Sequence, residues 1–212
     1  TSRSIGAGNR AEARRIAGSA VILAAVAQAL VAGLVVSLRY PILEFAGAQG
    51  ETLDLAARYL AITLPSLVVM AVGLVASGVL RAEGDGKRAM FVTLSSGSVS
   101  MVVDPLLIYW LELGLDGAAS GLVLSRFIMM VAALFFATRV HDLIARPQPG
   151  DILRHMRPFL AIALPAILTQ QATPFGNYVL TKVLSQFGDE AVAGWAVVGR
   201  LSVVVFGGIF SL

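Results

Sequence analysis

A chain of 212 residues that is 57% hydrophobic and 14% charged, with a mean hydropathy of +0.82, is too apolar for a water-soluble domain of that size. Its natural solvent is a lipid bilayer. The formal charge of +3 gives little support to a nucleic-acid surface, and the absence of cysteine excludes disulfides and thiolate metal sites.

Residues 1–15, TSRSIGAGNRAEARR, lack an initiating Met and read as a basic loop leading into a helix, not as a cleavable signal. Residues 16–38 and 59–80 are uncharged runs close to the ~20 residues that cross a bilayer. Residues 89–111 and 117–138 are read as further spans, each interrupted by one charge, Asp104 and Arg126 respectively. Another uncharged run covers residues 159–181, and residues 191–212 begin a last apolar segment that contains Arg200 and stops without a polar flank. The two ends together lead us to expect an internal piece of a longer chain.

Between the spans, composition supplies the turns. RAEGDGK, 81–87, has the glycines a reversal needs, and LGLDG, 113–117, forms a tight hairpin. The connection 140–157 is basic and contains Pro147, Pro149 and Gly150, after which Asp151 is placed to N-cap the next helix. Lys and Arg concentrate in alternate connections: Arg3, Arg10, Arg14 and Arg15; Arg81, Lys87 and Arg88; Arg139, Arg146, Arg154 and Arg157. The positive-inside rule therefore puts loops 1–15, 81–88 and 140–157 in the cytoplasm of a multi-pass protein.

Several patterns fail for want of context. Gly6-Ala7-Gly8 has no preceding strand, and Gly84-Asp85-Gly86-Lys87 lacks the first glycine of a phosphate loop. No GxSxG or HExxH supplies a nucleophile or a metal, so no catalytic residue and no metal site is assigned, and the protein is not read as an enzyme. His141 and His155 lack partners at metal-ligand spacing and read as surface residues.

A carboxylate in the bilayer costs about 2.5 to 3.5 kcal/mol on insertion scales and needs a reason to be there. Asp104 lies ~10 Å below the hairpin end of its helix, and Arg126 ~15 Å below it on the next, antiparallel helix. One reading is a structural ion pair between Asp104 and Arg126. The other is a cation-coupling carboxylate that takes up and releases a proton or metal ion, beside a helix loosened by Pro105. Gly117 with Gly121, and Gly73 with Ser77, have the small-residue spacing of close helix packing. Pro165 and Pro174 bracket Gln170, Gln171 and Thr173, with Asn177 just beyond, amides that either bond to other helices or line a cavity. Met70, Met101 and Phe175 suit an adaptable apolar pocket.

The segments LRAEGDGKRAM, VVDPLLIYWLELGLDGAASG and ALPAILTQQATPFGNYVLTKVLSQFGDEAVAGWAVVGRL, after SRSIGAGNRAEARR, resemble the multidrug and toxic compound extrusion (MATE) family. The resemblance implies an all-α polytopic bundle, part of a twelve-helix antiporter with two six-helix lobes around a cavity. It places residues 1–139 in the N-terminal lobe (loop 2–3 and helices 3 to 6), 140–157 in an inter-lobe linker, and 158–212 at the start of the C-terminal lobe. It implies export of small organic cations by alternating access, driven by a proton or sodium gradient with no cofactor. It also implies a monomer in a bacterial inner membrane. Asp104 falls at a helix 5 coupling carboxylate. Ser100 stands where the family usually has Asn, Leu122 where it has Thr, and Thr173 where another branch has Glu, so oxygen ligands for sodium are lost and protons are favoured. Two alternatives remain open. A flippase of lipid-linked sugars predicts a basic cavity, for which the intramembrane candidates are Arg126, Lys182 and Arg200; a non-transporting scaffold predicts no dependence on Asp104.

Overall fold

The computed structural model describes residues 6, 8–45, 49–145, 149–184, 186, 194–195, 197–199 and 201. Regular structure among them is helical throughout. Helix α1, Arg10–Ser37, starts where the Asn9 side chain accepts a hydrogen bond from the Glu12 backbone N–H at 3.1 Å, with Glu12 itself complementing the helix dipole. A short α2, Arg39–Phe45, precedes α3, Gly50–Thr63, and α4, Ser66–Ala82. Helix α5, Gly86–Pro105, is capped by Asp85, whose carboxylate accepts from the Arg88 N–H at 3.0 Å. It runs into a π-helical turn, Leu106–Trp110; α6, Gly114–Phe135, ends the same way in Phe136–Val140, and α7 covers Pro149–Leu184.

Among the described residues, five stretches are long and apolar enough to cross a membrane: Arg10–Ser37, Gly50–Ala82, Gly86–Trp110, Gly114–Val140 and Gly150–Leu184. Each covers, to within one residue, a span expected from hydropathy. The apolar segment 191–212 lies almost entirely outside the described residues. Two expectations are corrected. The second span begins at Gly50, because Glu51, Asp54 and Arg58 continue the helix beyond the apolar run. Asp151 sits within the first turn of α7, so the helix begins before the position expected from sequence, at Pro149.

Both prolines inside the spans of α3–α4 and α5 leave their mark on the hydrogen-bond ladder. Pro65 has no N–H, and the bonds that follow it tighten to Leu67 N–H to Leu64 O at 3.0 Å and Val68 N–H to Pro65 O at 3.2 Å, which separates α3 from α4. Pro105 is followed by the widened turn that closes with Leu111 N–H to Leu106 O at 3.0 Å.

The chain divides into two units, Thr1–Arg157 and Pro158–Leu212. In the first, α1 packs on α4, α4 on α6, and α6 also on α5 and α3. Its core is built from small side chains, with Ala17, Ala76, Leu80, Ala89, Val92, Ala133 and Ala137 fully or almost fully buried. Helices that cannot gain from expelling water associate through such close backbone approach. Gly73 shows how close: a Cβ there would stand 3.2 Å from the Met130 Cα.

At the end carrying the basic connections, ion pairs tie three connections together. Arg10 meets Glu83 at 2.6 Å, Arg14 meets Asp142 at 2.6 Å, and Asp85 receives both Arg88 at 2.5 Å and His141 at 2.7 Å. At the opposite end Arg58 pairs with Asp116 at 2.6 Å. Tyr109 and Trp110 are 78% and 85% exposed at the end of the third span, and aromatic side chains at span ends suit a membrane–water interface. In the second unit, the part of α7 from Pro158 onward is largely exposed, and Thr169 Oγ1 donates to the Pro165 carbonyl at 2.9 Å.

Candidate functional site

Asp104 occupies the last turn of α5 before Pro105, at a half-buried position facing α6. The Ser100 hydroxyl, one turn earlier on the same helix, donates to Oδ2. Oδ1 is buried and has no hydrogen-bond partner. It lies against Gly121 of α6, where a Cβ would collide with it. Gly117, one turn nearer the hairpin, allows a similar approach of backbone to backbone, since a Cβ there would come within 2.7 Å of the Leu107 carbonyl oxygen. The Gly117/Gly121 spacing, read from sequence as packing, therefore also hollows out the seat of a carboxylate.

A buried carboxylate oxygen with no donor costs free energy of order 1–3 kcal/mol or more, and two events remove the cost. A proton can reside on the carboxyl, or a cation can approach it. Ser100 is the single side-chain oxygen held against Asp104 among the described residues, and Leu122 contributes none. Hard cations take several oxygen ligands.

The possible ion-pair partner of Asp104 is elsewhere. Arg126 Nη1 donates to the Thr63 carbonyl at 3.0 Å and to Ser66 Oγ at 2.6 Å, and no ion pair links Arg126 to Asp104 among the described residues. Of the two readings of Asp104, the ion pair is therefore corrected, and the reason is direction around the helix. Arg126 follows Gly121 by five residues, a rotation of roughly 140° around α6 at 3.6 residues per turn, which turns it towards α3 and α4.

Of the other candidates, Met101 is 81% exposed on α5 and Phe175 69% exposed on α7, while Met70 is half-buried. Gln170, Gln171, Thr173 and Asn177 are exposed on the second unit, with Gln170, Thr173 and Asn177 sharing one helical face by their spacing. Arg200 lies outside the described residues.

Two histidines read as surface residues are half-buried and hold acidic partners. His141 Nε2 contacts both Asp85 Oδ2 at 2.7 Å and Arg88 Nη1 at 2.8 Å; His155 lies 3.5 Å from Glu12 and 3.2 Å from Ser19 Oγ. Asp85 is held down at about 2 by the Arg88 backbone N–H first, then by His141 and by the Arg88 side chain and its charge, against an opposing effect of burial. Among the described residues no group of three His, Asp or Glu side chains could hold a metal ion. The signal for this cluster was the like placement of its loops on one side of the membrane.

The same helical arrangement occurs in known proteins. The MatE family pattern matches residues 1–106. "Multidrug export protein MepA" of Staphylococcus aureus strain RF122 is 29% identical over 164 residues, covering 73% of this chain and 35% of the relative. An outward-facing multidrug resistance MATE family transporter of the MOP superfamily superposes with a TM-score of 0.87 at 26% identity, and its inward-facing counterpart with 0.81 at 25%. Both superpositions cover 99% of this chain, and 48% and 49% of the respective transporters. The chain thus spans about half the length of those transporter chains, and its alignment to the curated relative about a third of that protein.

Proposed function

The chain belongs to the MatE family of membrane transporters, and from that premise we propose that it serves a secondary antiporter that exports organic cations in exchange for protons. The single observation that carries the proton assignment is the unpaired, buried Oδ1 of Asp104 beside a lone Ser100 hydroxyl. Protonation from the outer side relieves the unpaired oxygen and favours one arrangement of the helices. Loss of the proton to the cytoplasm restores a charge that favours another, and a cationic substrate has the opposite preference. One elementary charge crossing 100 mV supplies about 2.3 kcal/mol, sufficient to bias such an equilibrium by more than tenfold. The loops 1–15, 81–88 and 140–157 face the cytoplasm of a bacterial inner membrane in this reading. The boundary between lobes falls in the connection 140–157, and Met101, Gln170, Gln171, Thr173 and Asn177 are cavity-lining candidates.

The experiment is a gradient exchange. The intact protein, reconstituted in liposomes, is loaded with a fluorescent organic cation and given either a proton or a sodium gradient. Efflux that follows the proton gradient and ignores sodium supports the reading; efflux that follows sodium, or neither, refutes it.

A further inference from the structure

We propose that the Arg126 guanidinium is a clamp on a joint in the second span, and that α3 and α4 pivot at Leu64–Pro65. The joint begins with a deficit in the backbone. Pro65 supplies no N–H to the Ala61 carbonyl, and the tightened turn that follows commits Leu67 N–H to Leu64 O, so the Thr63 carbonyl loses its ordinary donor as well. The joint lies near the middle of Gly50–Ala82, and hydrocarbon supplies no replacement donor.

The replacements come from side chains. Ser66 Oγ donates to Thr63 O at 2.7 Å, and Arg126 reaches across from α6 to the same carbonyl at 3.0 Å and to Ser66 Oγ at 2.6 Å. Thr63 and Ser66 are 5% and 4% exposed, so the contact is enclosed. Thr63 Oγ1 closes the preceding turn on the Tyr59 carbonyl at 2.8 Å. The charge suits the place, because a cation at the C-terminus of α3 meets the negative end of its dipole. Arg126 makes no ion pair among the described residues, and a guanidinium at this depth is costly unless its donors are used.

A backbone ladder would hold the span straight with bonds that cannot be exchanged. Here the bonds across the break belong to side chains, and one belongs to a different helix. The angle between α3 and α4 is therefore set from α6, the helix whose Gly121 also faces Asp104. The joint itself does not depend on the antiport reading; its use in transport does.

Residues 1–212 contain no cysteine, and any cysteine elsewhere in the intact protein is first replaced. Spin labels at Leu55→Cys and Leu74→Cys, both on exposed positions either side of the joint, report the α3–α4 distance in the intact protein in nanodiscs. Arg126→Gln broadens or shifts that distance and lowers the melting temperature. Pro65→Ala, which restores an N–H and lets Leu67 return to Thr63, lengthens and narrows it, and in that background Arg126→Gln loses most of its effect on both readouts. An equal melting loss in both backgrounds, or a distance unmoved by either substitution, overturns the clamp. Should Arg126→Gln alone fail to fold, rescue of folding by Pro65→Ala supports the clamp and failure of rescue overturns it. These readouts need no substrate, so they stand or fall apart from proton coupling. Organic-cation efflux by a folded Pro65→Ala protein then tests the pivot: loss supports a moving joint, and wild-type efflux overturns it.

Discussion

The α-carbon of Gly121 faces Oδ1 of Asp104, an oxygen that is buried and accepts no hydrogen bond. A methyl group at this position would occupy the carboxylate's seat. Gly121→Ala is expected to cost about 1–3 kcal/mol as overpacking, partly relieved because the carboxyl can swing aside. Gly117→Ala meets the backbone carbonyl of Leu107, which cannot swing, and is expected to cost more. Melting temperatures of the two variants in detergent check the order; equal stability of both with the wild type would contradict the packing described.

Ser100→Ala removes the hydroxyl that donates to Oδ2 and leaves both oxygens of Asp104 without a side-chain donor. The expected loss is about 1–3 kcal/mol, and Ser100→Thr, which keeps the hydroxyl, restores most of it. Thermal unfolding of the pair decides, and indistinguishable Ala and Thr variants would argue against this contact.

Acid should loosen the end that carries the basic connections. The Asp85 carboxyl is depressed from an ordinary value of 3.8 to about 2, so it binds fewer protons folded than unfolded. Its stabilisation is complete above pH 3.8 and is lost as pH falls through 2. Asp85→Asn should flatten the dependence of melting temperature on pH in that window. An unchanged slope would show that Asp85 is not an acid-sensitive support.

The outer pair Arg58–Asp116 is expected to matter little. Its partners are 66% and 35% exposed, and exposed pairs contribute at most about 1 kcal/mol. Asp116→Asn should shift stability by less than that at moderate salt, measured by thermal unfolding, and a larger loss would mark the pair as a structural tie.

Hydropathy located the five spans among the described residues because the bilayer imposes a length, and a length can be counted. Asp104 stood out for a similar reason, as a charge in the wrong solvent. The partner of Arg126 was not legible, since depth along a helix follows from counting residues while direction around its axis depends on which neighbours pack against it. Gly121 illustrates the same limit: its spacing from Gly117 announced a close approach, but only the arrangement of α5 and α6 reveals that a carboxyl approaches it. The role of Pro65 lay hidden behind an uninterrupted apolar run, and the Asp85–His141 cluster unites connections far apart in sequence. The helices and their order were therefore readable, while contacts between them were not.

The most direct measurement compares wild-type protein with Asp104→Asn in proteoliposomes, following organic-cation efflux on an imposed proton gradient. Asn keeps the size of the side chain and removes its titration. Proton coupling through Asp104 predicts that the variant inserts and folds yet shows no gradient-driven efflux. Gradient-driven efflux by Asp104→Asn at the wild-type rate would contradict it.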